Sequence, residues 1–304
     1  METNFVHRPH CELCGSESKK TLVEVDFSNP LVWDFLESYY EGRIDVSVVK
    51  NVSYEIVECQ NCGFVWQGYV LNEEKMGDLY SVWISAEHSL NKKRYADIGW
   101  FDKYSREGRT IFDFVKKKPH QTRVLDFGMG WGYWCRMAQA FGYKVKGFEV
   151  SPPRVAYARQ MGIDVIDNYS DISKHKFDFI NSEQVFEHVL NPTQTLIELS
   201  SSLEIGGVIR IAVPDGDRTL KNLSNSDWKA AKDALHPLEH INCFTHDSLK
   251  EMGKRANLKY LFVPQPVRTT GRKEAIFNAI SKFTGRPRNK NSQGTELYFQ
   301  KIHD

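Results

Sequence analysis

The segment that most limits how this chain can fold runs from Arg123 to Gly132, Arg-Val-Leu-Asp-Phe-Gly-Met-Gly-Trp-Gly. An apolar strand, Val124-Leu125, enters three alternate glycines after Asp126, and Trp134, Met137, Ala138 and Phe141 follow at i, i+3, i+4 and i+7. Glycines let the backbone turn sharply and let a ligand approach it closely, and the apolar recurrence is that of an amphipathic helix. Strand, glycine turn and helix in this order make a nucleotide-binding βα unit. Lys144 to Glu149 reads as a second strand ending in an acid, which suits the two hydroxyls of a ribose. Ser151-Pro152-Pro153 then starts a helix, with serine as N-cap and proline in the first turn, and Met161-Gly162 ends it.

The G-x-G-x-G spacing differs from the dinucleotide fingerprint G-x-G-x-x-G, the competing reading. Three later segments decide between them: Lys176-Phe-Asp-Phe-Ile180, Val185-Phe-Glu-His-Val-Leu-Asn-Pro192 and Gly206-Gly-Val-Ile-Arg-Ile-Ala-Val-Pro214. In this order the motifs resemble those of the class I S-adenosylmethionine-dependent methyltransferases. The resemblance covers about residues 105–304 and implies an α/β, Rossmann-like sheet of seven strands ending in an antiparallel pair. Lys259–Val263 then supplies strand six and Thr295–Ile302 strand seven, with a helix over Lys273–Phe283 and a solvated basic loop over Gly285–Gly294. It also implies S-adenosyl-L-methionine as cofactor. Asp126, Phe127, Gly128 and Gly130 fall at its amino-acid end, Glu149 and Val150 at the ribose, Asp167 and Asn168 near the adenine, and Glu183 near the methionine or the acceptor.

Cys11-Glu-Leu-Cys14-Gly15 and Cys59-Gln-Asn-Cys62-Gly63 are two knuckles separated by a gap that holds a predicted helix, Leu31–Tyr40, and a β-like run, Asp45–Val57. Two-residue spacing lets both thiolates of a pair reach one metal, and four thiolates make a closed tetrahedral set that favours structural zinc. The organisation expected is a zinc-binding module over residues 1–70, a helical bridge or lid over 71–110, and a catalytic domain over 111–304.

Methyl transfer from a sulfonium needs an acceptor held in line and a base that removes its proton. His188, after strand four, and Glu239-His240, after strand five, fall at the C-terminal edge of the sheet, where open α/β folds bind ligands. His236 is a further candidate. Glu-His in this position, together with two N-terminal CxxC knuckles, resembles the methyltransferases that modify nucleotide-linked deoxysugars, and the resemblance implies that His188, Glu239 and His240 line the acceptor site. That group carries a tyrosine two residues before the glutamate, where this chain has Pro237, and a long C-terminal domain that this chain lacks. The expectation is therefore O-methylation of a small sugar-like hydroxyl, with C-methylation of a sugar as the alternative.

Charge separates the remaining classes. The whole chain is nearly neutral, at +1, whereas residues 1–70 carry five basic and eleven acidic residues, a balance of −6. Phosphate binding needs the opposite sign, so an RNA methyltransferase with a zinc ribbon is disfavoured and no nucleic-acid partner is expected. The glycine turn with Glu149 argues against a non-catalytic scaffold. No apolar run approaches the roughly 20 residues of a membrane span, and Met1–Gly15 lacks the apolar region of a signal peptide, so a cytoplasmic enzyme without a membrane partner is expected.

Overall fold

The computed structural model describes residues 4–95, 98–263 and 294–303. In chain order the strands are β1 (Phe5–His7), β2 (Lys19–Asp26), β3 (Ser53–Cys59), β4 (Val65–Gln67), β5 (Tyr69–Leu71), β6 (Arg123–Phe127), β7 (Lys144–Phe148), β8 (Asp164–Ile166), β9 (Phe177–Glu183), β10 (Leu203–Pro214), β11 (Asn242–Cys243), β12 (Leu258–Leu261) and β13 (Gly294–Lys301). The α-helices are α1 (Pro30–Tyr39), α2 (Glu73–Asp78), α3 (Ala86–Arg94), α4 (Ile98–Phe114), α5 (Tyr133–Ala140), α6 (Pro152–Gln160), α7 (Pro192–Ser201), α8 (Gly216–Leu223) and α9 (His246–Arg255).

Seven strands form one sheet in the order β12-β13-β10-β9-β6-β7-β8. β6 to β10 pair in parallel, and β13 runs antiparallel to both β10 and β12. This is the expected class I methyltransferase sheet. Alternate residues along each strand serve opposite faces. Val124 and Val208 join Ile111, Trp134 and Ala158 beneath α4–α6. Leu125, Ile209 and Ile211 join Leu196, Leu199, Leu249 and Met252 beneath α7 and α9. The chain moves outward from β6 to β8 on one side and returns to β9 and β10 on the other, so the switch point lies between the ends of β6 and β9. Buried Arg210 on β10 donates to Asn181 on β9, Glu107 on α4 and Glu296 on β13 at 2.7, 2.9 and 3.0 Å, tying the centre of the sheet to its covering helix.

The N-terminal residues build a second, four-stranded antiparallel sheet, β11-β4-β3-β2, and β1 pairs with β5 beside it. Its outer strand, β11, comes from the segment that follows β10. Ala234, Leu235, Leu238 and Cys243 of that segment share one core with Phe27, Leu36, Tyr54 and Ile56. The β-like run differs from expectation at its start. Val46–Val48 is a 3₁₀ turn in which the Ser47 N–H donates to the Asp45 side chain and the Val48 N–H to the Asp45 carbonyl, and the strand begins only at Ser53. β-branched residues favour strands through packing on a pleated surface, and here the capping aspartate wins locally. The helix expected at Lys273–Phe283 and almost all of the basic loop before Gly294 lie outside the described residues. Among the described residues no helix is long and apolar enough to cross a membrane.

Gly216 shows how tightly β10 is locked to the later segment. A Cβ there would fall 2.3 Å from the Phe244 carbonyl oxygen. Gly216→Ala must displace backbone, so it is expected to cost about 1–3 kcal/mol, read as a lower urea midpoint at unchanged slope.

Candidate active site

The glycine turn occupies the switch point. Gly128 and Met129 donate to the Phe148 carbonyl at 2.9 and 3.0 Å, folding the turn over the end of β7. All three glycines have positive φ, +77° at Gly128, +56° at Gly130 and +73° at Gly132. Their surroundings differ. A Cβ on Gly128 would meet Val185 at 2.3 Å and one on Gly132 would meet Ile163 at 2.2 Å, whereas one on Gly130 would enter open space. The outer pair are glycines for packing, and the middle one borders a space that a ligand can fill. The Glu149 carboxylate stands at that space, accepting from Gly130 N and Ser151 N, both at 2.9 Å, with Arg154 at 3.9 Å. A carboxylate fixed by main-chain donors beside an open glycine fits a ribose diol, so the chain's own residues are compatible with S-adenosylmethionine.

The other cofactor candidates divide. Asp126 lies buried below the turn with its oxygens accepting from Asn181 at 2.7 Å and Cys135 at 3.4 Å. Burial lifts its pKa to about 7 against those hydrogen bonds. It holds the turn in shape from beneath. Phe127 stacks on Phe148, and Val150 stands 73% exposed at the rim. Asp167 pairs with Arg159, and Asn168 donates to Asp171 at 3.3 Å, both on the surface. Glu183 is held by Lys103 of α4 and by Arg210 at 3.4 Å; burial would raise its pKa, but these cations keep it below the usual carboxylate range.

The three catalytic candidates come together. The His188 and His240 rings are 4.9 Å apart, and His236 lies 5.2 Å from His240. His188 Nδ1 is 2.8 Å from the Glu239 carbonyl and 3.3 Å from the Tyr80 hydroxyl, and His240 Nδ1 bonds to the Asp233 carbonyl. A carbonyl only accepts, so each Nδ1 carries the hydrogen and each Nε2 keeps its lone pair. Burial pulls the pKa of His188 down to about 4 and that of His240 to about 3. Both are therefore neutral at pH 7. Glu239 accepts a hydrogen bond from Tyr40 at 2.7 Å, and burial raises its pKa although that bond opposes the shift. His236 is fully buried against Phe35 and Tyr39, closed off from any acceptor.

The N-terminal module holds these loops. Gln67 donates its side-chain amide to the His236 and His240 carbonyls, both at 3.0 Å, and its backbone N–H to Ile241 at 3.0 Å. Arg8 donates to the carbonyls of Ile241 and Leu190 at 2.9 and 3.2 Å and to Asn242 Oδ1 at 2.9 Å. Asn242 completes the link by donating to Phe186 and Val189 on the His188 loop at 2.9 and 2.6 Å. Nothing in the spacing of the sequence singles out Arg8, Tyr40, Gln67 or Tyr80. Their partners lie more than 100 residues away.

Cys11, Cys14, Cys59 and Cys62 place their sulfurs within 4.8 Å of one another, with Cys11–Cys62 at 3.5 Å and Cys14–Cys59 at 3.4 Å. Zinc bonds of about 2.3 Å in a tetrahedron hold sulfurs about 3.8 Å apart, so the four fit one zinc with little movement. Gly15 and Gly63 both adopt φ +72°, completing each knuckle with an N–H to the first cysteine's carbonyl.

The fold, the switch-point glycine turn and the acid on the second strand define a class I methyltransferase. A family model described as "Methyltransferase domain" matches residues 95–262, more than half of the chain. The chain belongs to that family and is an S-adenosylmethionine-dependent methyltransferase. No curated protein matches its sequence. Among solved structures it is similar to the plantazolicin methyltransferase BamL in complex with a triazolic desmethylPZN analog and SAH, at 14% identity and TM-score 0.50, covering 75% of this chain and 95% of that one. It is also similar to an S-adenosylmethionine-dependent methyltransferase from Clostridium acetobutylicum, at 13% identity and TM-score 0.47, covering 70% and 96%.

Arg8→Met tests the clamp. It leaves three oxygens without their cationic donor, so a loss of about 2–4 kcal/mol in chemical denaturation is expected, together with weakened turnover, because the His240 loop loses its anchor.

Proposed function

We propose that this enzyme transfers the methyl group of S-adenosylmethionine to a hydroxyl of a small, sugar-like acceptor. The observation that carries this reading is the buried cluster of neutral His188 and His240 around Glu239, beside the switch point. Such a cluster offers uncharged Nε2 lone pairs that can hydrogen-bond several hydroxyls, and it offers no cationic surface for a phosphate backbone. The −6 balance of residues 1–70 supports the same conclusion. The SAH held by BamL is consistent with the donor.

The bound cofactor supplies an electrophilic methyl on a sulfonium and its leaving group. Glu149 and Val150 would lie at the ribose, with the Glu149 carboxylate taking its hydroxyls, the backbone at Gly128 and Gly130 at the amino-acid end, and the Asp167–Asn168 turn on the adenine side. His240 or His188 would then accept the acceptor's hydroxyl proton at Nε2, with Glu239 orienting a neighbouring hydroxyl. Tyr40 places a phenol on Glu239 although Pro237 stands where the sugar-modifying group has tyrosine. Cys11, Cys14, Cys59 and Cys62 would hold a structural zinc that keeps Arg8 and Gln67 in place. C-methylation of a ketosugar is the second reading, since the same bases could remove a carbon-bound proton.

A methyl-transfer screen over nucleotide-linked sugars, free sugars, amines and RNA, with the product located by NMR, tests the reading. Methyl on a sugar oxygen is expected, and transfer to RNA alone would overturn it. Glu149→Ala should weaken S-adenosylmethionine binding about 10–100-fold by calorimetry, the worth of a charged hydrogen-bond pair; unchanged affinity removes the ribose role. Metal analysis should find about one zinc per chain at the cysteines, and chelating it should abolish turnover as the clamp loosens.

A further inference from the structure

Glu187 takes no part in the chemistry described so far, yet it is the most unusual side chain near the acceptor cluster. It lies on the 3₁₀ turn Phe186–His188 at 0% exposure, and among the described residues no other residue hydrogen-bonds to either carboxylate oxygen. One oxygen lies 3.9 Å from His188 Nε2. Burial pushes its pKa up to about 8, so at pH 7 it rests mainly as the neutral acid. A buried acid with no partner from another residue, set beside two histidines, has a reason to be there in some state of the protein.

The surrounding geometry supplies that reason. One ligating atom each from Glu187, His188 and His240 lies within 4.8 Å of the others. Both histidines give their Nδ1 hydrogen to a main-chain carbonyl, of Glu239 and Asp233 respectively. That is the outer-shell arrangement that orients a metal-ligating imidazole and leaves Nε2 free to bind. His188, at 22% side-chain exposure, opens the cluster towards solvent. We propose that Glu187, His188 and His240 form a second metal site, taking a divalent cation such as zinc through two histidines and one carboxylate and leaving a position open for the acceptor hydroxyl. The neighbouring group of His236, Glu239 and His240 is the poorer choice. There Glu239 already accepts from Tyr40, and His236 is sealed behind Phe35 and Tyr39.

The inference rests on the reading of this cluster as the acceptor site and changes how the acceptor is activated. Three protein ligands and one open position are the pattern of catalytic zinc, as four cysteines are that of structural zinc. An acceptor oxygen bound to the cation loses its proton more readily. The O–H bond breaks and its proton passes to the Glu239 carboxylate. The oxygen forms a bond to the methyl carbon as the carbon–sulfur bond breaks, and that electron pair stays on the sulfur as a neutral thioether. Tyr40 holds the receiving carboxylate from the other side.

The test uses full-length protein with its cysteine site loaded with zinc, titrated with cobalt(II) and followed by visible absorption and bound-metal analysis. Wild type should take up about one further equivalent, with the weak visible bands of nitrogen and oxygen ligands and no thiolate charge-transfer band. Glu187→Gln and His188→Ala should each lower that uptake at least tenfold while keeping the cysteine-bound zinc, which also shows that they are folded. A wild-type protein that binds no second equivalent, or variants that bind it like wild type, overturns the proposal. Sugar methylation without second-site uptake would sink this inference alone. Uptake without methylation of any sugar would leave the site standing and sink the acceptor reading.

Discussion

Residues 231–241 form neither helix nor strand, yet Leu235, His236, Leu238, Glu239, His240 and Ile241 are buried. Backbone groups in such a segment must find partners away from water. They find them in the N-terminal residues, through Gln67, Arg8 and the Tyr54 hydroxyl, which donates to Leu235. The pairing of β11 with β4 continues this contact into a regular sheet. The cluster of His188, Glu239 and His240 exists because two stretches of chain far apart in sequence satisfy each other's backbone.

That constraint ties the cysteine knuckles to the loop that carries His236, Glu239 and His240. Cys11 lies three residues beyond Arg8, and Cys62 lies five before Gln67. Fixing the four sulfurs fixes the two residues that grip the His236–Asn242 loop. Cys11 and Cys59 also pack in the same core as Phe127, Phe186 and Phe244, so the cysteine corner and the seven-stranded sheet share one apolar interior. The same burial that shuts out water keeps His188 and His240 neutral, the state in which an imidazole Nε2 keeps its lone pair.

The legible parts of the site are those carried by local chemistry. The glycine turn, Glu149 and the strand order follow from the run at 123–132 and the acid on the next strand, because a turn with three positive φ values tolerates few sequences other than glycine. Asp126 marks the turn correctly but serves it from below, since the alternation of β6 points that side chain into the core beside Asn181 and Cys135. The stretch at Val46–Val48 carried a strand's composition and became a capped turn, with the Asp45 side chain and carbonyl taking the Ser47 and Val48 N–H groups.

Sequence by itself determined the class I sheet, the acid at the end of the second strand of that sheet, the paired cysteine knuckles and the presence of histidines at the strand ends. Each depends on residues a few positions apart, whose effect on the backbone is local. Only the tertiary structure decided that Tyr40 reaches Glu239, that Tyr80 reaches His188, that Gln67 and Arg8 hold the His236–Asn242 loop, and that Glu187 is left buried beside His188 and His240. Those contacts span about 50 to more than 200 residues, and chain folding, not spacing, brings them within bonding distance.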